Sequence, residues 1–326
     1  LPRGGVVRRH GILDALLLLT LGVNGVECAL GDVGGAAVDV DLLEHDDLGT
    51  RLSCGNGSDE ASATGADVAA SAVLGKLNRT LVDKIADAVR ECGKIMLNAV
   101  RTAEMIDAKE GHANFVTTYD KKVQEALRER LLEILPDAVF VGEEDDIHAS
   151  IEKGFAYIVD PIDGTTNFIK DYHVSAISVG LTKDGEKYIG VVYNPYLDEM
   201  FTAERGSGAY LNGQPIHVSG KPLSEGIVLF GTAPYYEELS QKSFQMAYDY
   251  FKKALDIRRS GSAAIDLCSI AAGRAELYFE LRLSPWDYAA GALIVEEAGG
   301  IVTTVAGREI TLERPCSLLA TNRQAR

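Results

Sequence analysis

The sequence predicts a mixed α/β or α+β sandwich, with helix and sheet layers in one folded unit of two lobes. Three observations predict it. Two amphipathic helical patterns stand in succession before Pro136, short β-branched runs then replace them, and from Ser175 onward hairpins mix irregularly with helical segments.

The first helix is set by Leu81, Ile85, Ala88, Val89, Cys92, Ile95 and Met96, which recur at a spacing that lines one helical face. Val123, Leu127, Leu131 and Ile134 set the second, and Pro136 stops it because proline cannot continue the helical ladder. Ala138 to Val141 and Ala156 to Val159 have the length and β-branched content of buried strands, and each runs directly into carboxylates. Ser175 to Thr182 and Tyr188 to Tyr193 read as a hairpin around Lys183-Asp184-Gly185, with a further turn at Asn212-Gly213. Helices are expected over Leu239 to Ala254, Ser262 to Ala272 and Asp287 to Ala298. Strands are expected at Glu276 to Leu281, Ile301 to Val305 and Ser317 to Ala320.

Composition narrows the function. With 326 residues, 46% of them hydrophobic and 25% charged, the chain is neither disordered throughout, collagen-like nor a multi-spanning membrane protein. A formal net charge of −16 offers no broad basic surface, so neither nucleic acid nor a membrane is expected as a partner. The five cysteines (Cys28, Cys54, Cys92, Cys268, Cys316) include no CxxC pair and read as reduced thiols of a cytoplasmic protein. The six histidines are scattered without an HExxH, so any metal is expected on oxygen ligands.

Residues 1–75 differ from the rest. They contain no Lys, Met, Phe, Tyr or Trp, and their 11 acids outnumber four arginines. Arg8 and Arg9 ahead of Leu16 to Leu19 faintly resemble a signal peptide, but Asp14 interrupts the run and no small-residue cleavage site follows. A segment without aromatics or Met builds only a thin core. It is expected to be an atypical extension, disordered or not native to the folded protein, with the catalytic domain over 76–326 in lobes of about 76–210 and 211–326.

Three strings carry the chemistry. In Asp160-Pro161-Ile162-Asp163-Gly164-Thr165-Thr166-Asn167-Phe168 a buried strand is expected to end at Asp160, where Pro161 turns the chain. Two carboxylates and the Ile162 carbonyl then converge, and Gly164 lets the backbone approach a ligand. If Gly164 and Thr165 open a helix, their N–H groups form an anion site beside the acids; the plainer alternative makes Asp163 a helix N-cap. Val141-Gly142-Glu143-Glu144-Asp145-Asp146 follows the other strand, and taken alone is a solvated acidic loop. Trp286-Asp287-Tyr288-Ala289-Ala290-Gly291 holds the only Trp, with Asp287 readable as an N-cap and Trp286 as a core aromatic.

In order and approximate spacing these strings resemble the inositol monophosphatase family, the Mg-dependent, lithium-sensitive sugar phosphatases, in a bacterial-type member. The resemblance also takes in Val116 to Asp120, Tyr193-Asn194-Pro195, Gly208 to Gly213 and Gly261-Ser262-Ala263-Ala264, and covers about residues 80 to 322. It implies a layered αβαβα sandwich and a homodimer. Family members continue into a final helix beyond the segment matching Leu319 to Asn322, and this chain, ending at Arg326, is expected to lack it.

The resemblance further implies that Glu143, Asp160 and the Ile162 carbonyl hold one Mg2+ while Asp160, Asp163 and Asp287 hold a second, with roughly two to three ions in each site and inhibition by Li+. Thr165, paired with Asp120, would orient the attacking water, with Glu143 in the catalytic set. The Gly164 and Thr165 N–H groups would bind phosphate. Gly261, Ser262, Ala263, Glu280 and Asp287 would line the side that receives the alcohol, although Glu280 alone reads equally as an exposed strand-end acid, and Lys109 as a surface lysine. The implied substrate is a small phosphorylated polyol or sugar, foremost inositol monophosphate. Fructose 1,6-bisphosphate, NADP, histidinol phosphate or a 3′-phosphoadenosine nucleotide are the alternatives within the class. A regulatory protein of the same fold that acts by binding a partner is the alternative outside it. Four clustered acids gain nothing in a scaffold, where their repulsion costs stability. Glycosidase chemistry does not call for the adjoining anion site.

Overall fold

The computed structural model describes residues 80–108, 115–145, 149–234 and 236–325. The expected extension over 1–75 and Lys109 lie outside the described residues, as do Cys28 and Cys54. Along the chain α1 (Leu81–Leu97) is followed by a short antiparallel pair, β1 (Ile106–Ala108) and β2 (Phe115–Thr117), then by α2 (Thr118–Ile134), β3 (Val139–Gly142), β4 (Phe155–Asp163) and the single turn α3 (Thr165–Ile169). An antiparallel meander comes next: β5 (Ala176–Lys183), β6 (Glu186–Asn194), β7 (Glu199–Glu204), β8 (Ala209–Leu211) and β9 (Gln214–Ile216). The remainder is β10 (Ile227–Phe230), α4 (Glu237–Phe251), β11 (Asp256–Arg258), α5 (Ala263–Ala271), β12 (Leu277–Leu283), α6 (Pro285–Glu297), β13 (Ile301–Thr303) and β14 (Cys316–Thr321).

Two sheets organise these elements, one ordered β3-β4-β5-β6-β7-β8-β9 and the other β11-β10-β12-β14-β13. Helices α1 and α2 pack their apolar stripes on one face of the first sheet, through Ile85, Val89, Cys92, Met96, Val123, Leu127 and Leu131. Helices α5 and α6 fill the space between the sheets, and α4 covers the far face of the second. The result is the αβαβα layering. Each fully buried aliphatic or aromatic side chain contributes roughly 1.5–3 kcal/mol of transfer free energy. Among the described residues no helix is long and apolar enough to cross a membrane.

Helix boundaries have local causes. Thr80 caps α1 in a reciprocal box, its hydroxyl accepting the Asp83 N–H at 3.2 Å while Asp83 accepts the Thr80 N–H at 3.1 Å. Leu135, held extended by the following proline, ends α2. The hairpin turn between β5 and β6 uses Asp184 and Gly185 at φ 51° and 79°, the left-handed pair that matches strand twist.

One expectation about β4 fails, with a functional consequence. The strand does not end at Asp160; it continues past Pro161 to Asp163, and its register against β5 shifts between Asp160↔Ser178 and Asp163↔Ala176. Three steps on β4 oppose two on β5, which is a bulge of one residue. In a regular strand residues three apart face opposite ways. The extra residue cancels that alternation and brings Asp160 and Asp163 toward the same side.

Candidate active site

The site is assembled at the carboxyl ends of β3 and β4 and the amino ends of α3, α5 and α6. Parallel pairing of Gly142 with Val159 sets Glu143 beside Asp160, and the Glu143 N–H donates to the Val159 carbonyl at 3.0 Å. The acidic run after β3 is ordered by specific partners rather than simply solvated. Asp145 accepts the Gly142 N–H at 3.0 Å and pairs with Arg128 at 2.5 Å, while Gln124 accepts the Glu144 N–H at 3.0 Å and donates to Asp145 at 3.1 Å.

Asp160 is buried and accepts the Ile162 N–H at 3.0 Å. Its pKa is pushed well above the usual carboxylate range, first by burial and then by Glu143, Asp163, Asp287 and Asp120, all acids. Asp163 lies at the amino end of α5, where it accepts the Ala264 N–H at 2.9 Å, the Ala263 N–H at 3.3 Å and the Ser262 hydroxyl. Burial outweighs these bonds and raises its pKa to about 6. Asp287 sits in the first turn of α6 and accepts the Ser284 N–H at 2.7 Å. Part of its surface stays open to solvent, yet burial is the largest cause of its raised pKa, followed by Glu143 and Asp163. Neither acid is an N-cap: Gly164, at φ 85°, occupies that position for α3 and Ser284 for α6.

Thr165 and Asp120 meet across 45 positions of sequence. The Thr165 hydroxyl lies 3.2 Å from Asp120 Oδ1 and 3.1 Å from the Ile162 carbonyl oxygen, so its proton has two acceptors. Asp120 is fully buried and also completes the capping box of α2, accepting the Thr117 N–H at 2.7 Å. Burial raises its pKa to about 6, against the lowering effect of Thr117 and with a further rise from Glu144.

Glu280, on β12, is buried rather than exposed. Its oxygens accept the Ala233 N–H at 2.9 Å and the Tyr278 hydroxyl at 2.7 Å, and its carboxylate fills the space that Gly231 leaves by having no side chain. Those two bonds use half of its roughly four acceptor positions. Burial raises its pKa, and the charge of Asp163 adds to that rise.

Oxygen donors of this kind suit a hard cation. Among the described residues no group of three or more His, Cys, Asp or Glu side chains stands close enough together to hold a metal ion as it is. The acids instead hold protein N–H and O–H donors while feeling one another's charge. That buried acids dominate the field at Asp160 is what a bound divalent cation would relieve, and the residues present fit Mg2+ in their chemistry.

A model of the inositol monophosphatase family matches residues 78–326. The chain belongs to the inositol monophosphatase family. Its relatives include the Nus factor SuhB of Vibrio cholerae, 38% identical over 222 residues, which are 68% of this chain and 83% of that protein. The inositol-1-monophosphatase of Bacillus subtilis is 35% identical over 249 residues, 75% of this chain and 93% of its own. In three dimensions the chain is similar to the Thermotoga maritima IMPase, with a TM-score of 0.67 and 32% identity over 73% of this chain and 91% of that one.

Of the residues that the sequence singles out, Glu143, Asp160, Asp163, Asp287, Thr165, Asp120 and Ser262 are brought together. Gly261, at φ 87°, adjoins them, while the Ala263 N–H is turned to Asp163. Two further residues carried no role in the sequence. Gln124 anchors the Glu143 loop, and its signal is a polar residue next to Val123 on the buried stripe of α2. Asp266 is a buried acid on α5 whose signal is the same, a charge inside an apolar helix.

Proposed function

We propose that this family member is a Mg-dependent phosphatase that hydrolyses a small phosphate monoester, with inositol monophosphate as the foremost substrate. The observation that carries the reading is the Thr165 hydroxyl held between Asp120 and the Ile162 carbonyl, next to acids that raise one another's pKa. Glu143, Asp160 and the Ile162 carbonyl would hold one ion, and Asp160, Asp163 and Asp287 a second. The chemistry Mg2+ supplies when bound by such oxygens is neutralisation of the phosphate charge and polarisation of its P–O bonds.

The chain's own residues do the rest. N–H groups of Gly164 and Thr165 at the start of α3 orient phosphate oxygens. A water placed against Thr165 gives a proton to the hydroxyl oxygen as that hydroxyl passes its own proton to Asp120. With its pKa raised to about 6, Asp120 is a better base than an ordinary carboxylate. The water oxygen forms the new bond to phosphorus, the ester P–O bond breaks, and the departing alkoxide takes up a proton from solvent. Gly261, Ser262, Ala263 and Glu280 line the side that receives the alcohol.

Relatives support both this reading and its rival. The Bacillus subtilis protein is named for inositol-1-phosphate hydrolysis, and a similar solved structure is described as inositol monophosphate bound SaIMPase-II, at TM-score 0.63 and 29% identity over 73% of this chain and 87% of that one. The Vibrio cholerae relative is named as a Nus factor, which favours a second reading in which the fold acts by binding a regulatory partner. Phosphate release is to be measured over inositol monophosphate, fructose 1,6-bisphosphate, NADP, histidinol phosphate and a 3′-phosphoadenosine nucleotide in Mg2+. The phosphatase reading expects turnover, highest on inositol monophosphate. No turnover on any ester, together with a partner complex unaffected by Asp287→Asn, would establish the second reading instead.

A further inference from the structure

Asn167 has no role in the mechanism above, yet its side chain joins the two sides of the site. Its Nδ2 has two N–H donors and both are used, one reaching the Val174 carbonyl at 2.7 Å and the other the Ser260 carbonyl at 2.9 Å. Asn167 stands on α3, in the same turn as Thr165. Ser260 stands 93 positions later and leads directly into Gly261, Ser262 and Ala263. The Gly261 backbone lies close to the amide, since a Cβ there would come within 3.2 Å of Asn167 Nδ2. On the other side, a Cβ on Gly164 would meet the Val174 carbonyl at 3.0 Å and the Gly261 carbonyl at 3.2 Å. The backbones at 174 and 260–261 therefore close on one carboxamide, and both also lie close to Gly164.

We infer that Asn167 is a positioning residue that fixes the 260–263 loop, and with it the alcohol-receiving side of the site, against the Gly164–Thr165 turn. The chemistry of the residue is specific. Two carbonyls pointing at one atom need a nitrogen with two protons; an aspartate of the same shape sets oxygen against oxygen, and an alanine leaves both carbonyls bare. The loop in turn aims the Ser262 hydroxyl and the Ala263 and Ala264 N–H groups at Asp163. Phosphate binding by the Gly164 and Thr165 N–H groups rests on α3, and proton transfer to Asp120 rests on α2; neither draws on a side chain of the loop. Loss of the amide should therefore be felt far more by a substrate with hydroxyls to place than by one without them. That kinetic consequence rests on the phosphatase reading; the structural one does not.

The test compares the wild-type chain with Asn167→Ala and Asn167→Asp, using inositol monophosphate and para-nitrophenyl phosphate in Mg2+, with amide hydrogen exchange at residues 262–264. The expected result is a KM for inositol monophosphate raised about tenfold, the effect of one or two lost hydrogen bonds. Kinetics on the aryl ester should stay within about twofold, and exchange at Ala263 and Ala264 should be faster, with Asn167→Asp at least as affected as Asn167→Ala. Equal losses on both esters, or unchanged exchange, would overturn the inference. If the wild type hydrolyses neither ester, the phosphatase reading falls and exchange alone decides the clamp. Should Asn167→Ala not fold, the isosteric Asn167→Asp carries the same measurements.

Discussion

Asp120 accepts from two residues at once, Thr117 and Thr165. Through one oxygen it closes the capping box of α2, and through the other it faces the Thr165 hydroxyl. The first bond is structural and the second is what the proposed reaction uses, so the two are separable by mutation at Thr165. Thr165→Ala leaves the cap intact and removes the hydroxyl, and its kcat should fall by about 100-fold or more, the usual contribution of a positioned proton carrier. Thr165→Ser keeps the hydroxyl and should retain most of the rate. Comparable kcat for the alanine variant and the wild type in a phosphate-release assay would remove Thr165 from the mechanism.

At the scale of elements, the position of Asp287 depends on how closely α6 lies on the first sheet. Gly180 and Gly190 face each other across β5 and β6, and a Cβ on Gly190 would stand 2.6 Å from the Ala290 carbonyl oxygen of α6. Gly190→Ala must push the helix outward or strain the strand, at about 1–3 kcal/mol. Thermal unfolding of Gly190→Ala should show a lowered Tm, and Mg2+ affinity by calorimetry should weaken with it, because the displaced helix carries Asp287. An unchanged Tm and unchanged affinity would mean that the contact relaxes without moving α6.

The same scale explains what was legible in the sequence. The stripes of α1 and α2, the Asp184-Gly185 turn and the acidic strand ends follow from spacing and composition alone. The course of β4 does not: Pro161 suggests a stop, and only pairing with β5 converts it into a bulge that turns Asp163 to the side of Asp160. Short strands such as Ile227–Phe230 and Asp256–Arg258 have too few residues to set a period, and owe their existence to β12 and its neighbours. Asp163 and Asp287 resemble helix caps in sequence. The glycine at 164 and the serine at 284 take those positions, which leaves both carboxylates beside Asp160.

For the molecule as a whole, charge decides the conditions under which it is stable. The net charge of −16 includes 11 acids against four arginines in residues 1–75, so the excess that bears on the site is the remainder, with Glu143, Asp160, Asp163 and Asp287 among it. Asp160, Asp163 and Asp287 all have pKa values raised above the ordinary carboxylate value in the folded chain. The sign follows from linkage. Their favourable contribution is fully present below the unfolded pKa near 4 and is lost as pH rises through the folded values, about 6 for Asp163. Metal-free Asp160→Asn should therefore unfold at a higher temperature than metal-free wild type at about pH 7.5, with the gap closing at about pH 5. Mg2+ should raise the wild-type Tm at the higher pH and raise that of the variant much less. A lower Tm for the metal-free variant at about pH 7.5 would mean that these acids do not repel one another in the folded protein.

Initial rates of phosphate release from inositol monophosphate, for wild type and Asp160→Asn, with Mg2+ and with EDTA, bear most directly on the proposed reaction. Asp160 is the acid shared by both proposed ion positions, and the charges of Glu143, Asp163, Asp287 and Asp120 all raise its pKa. Turnover is predicted for the wild type in Mg2+, with loss of at least about 100-fold on chelation or on the single oxygen-to-nitrogen change. Undiminished turnover by Asp160→Asn, or full wild-type activity in EDTA, would contradict it.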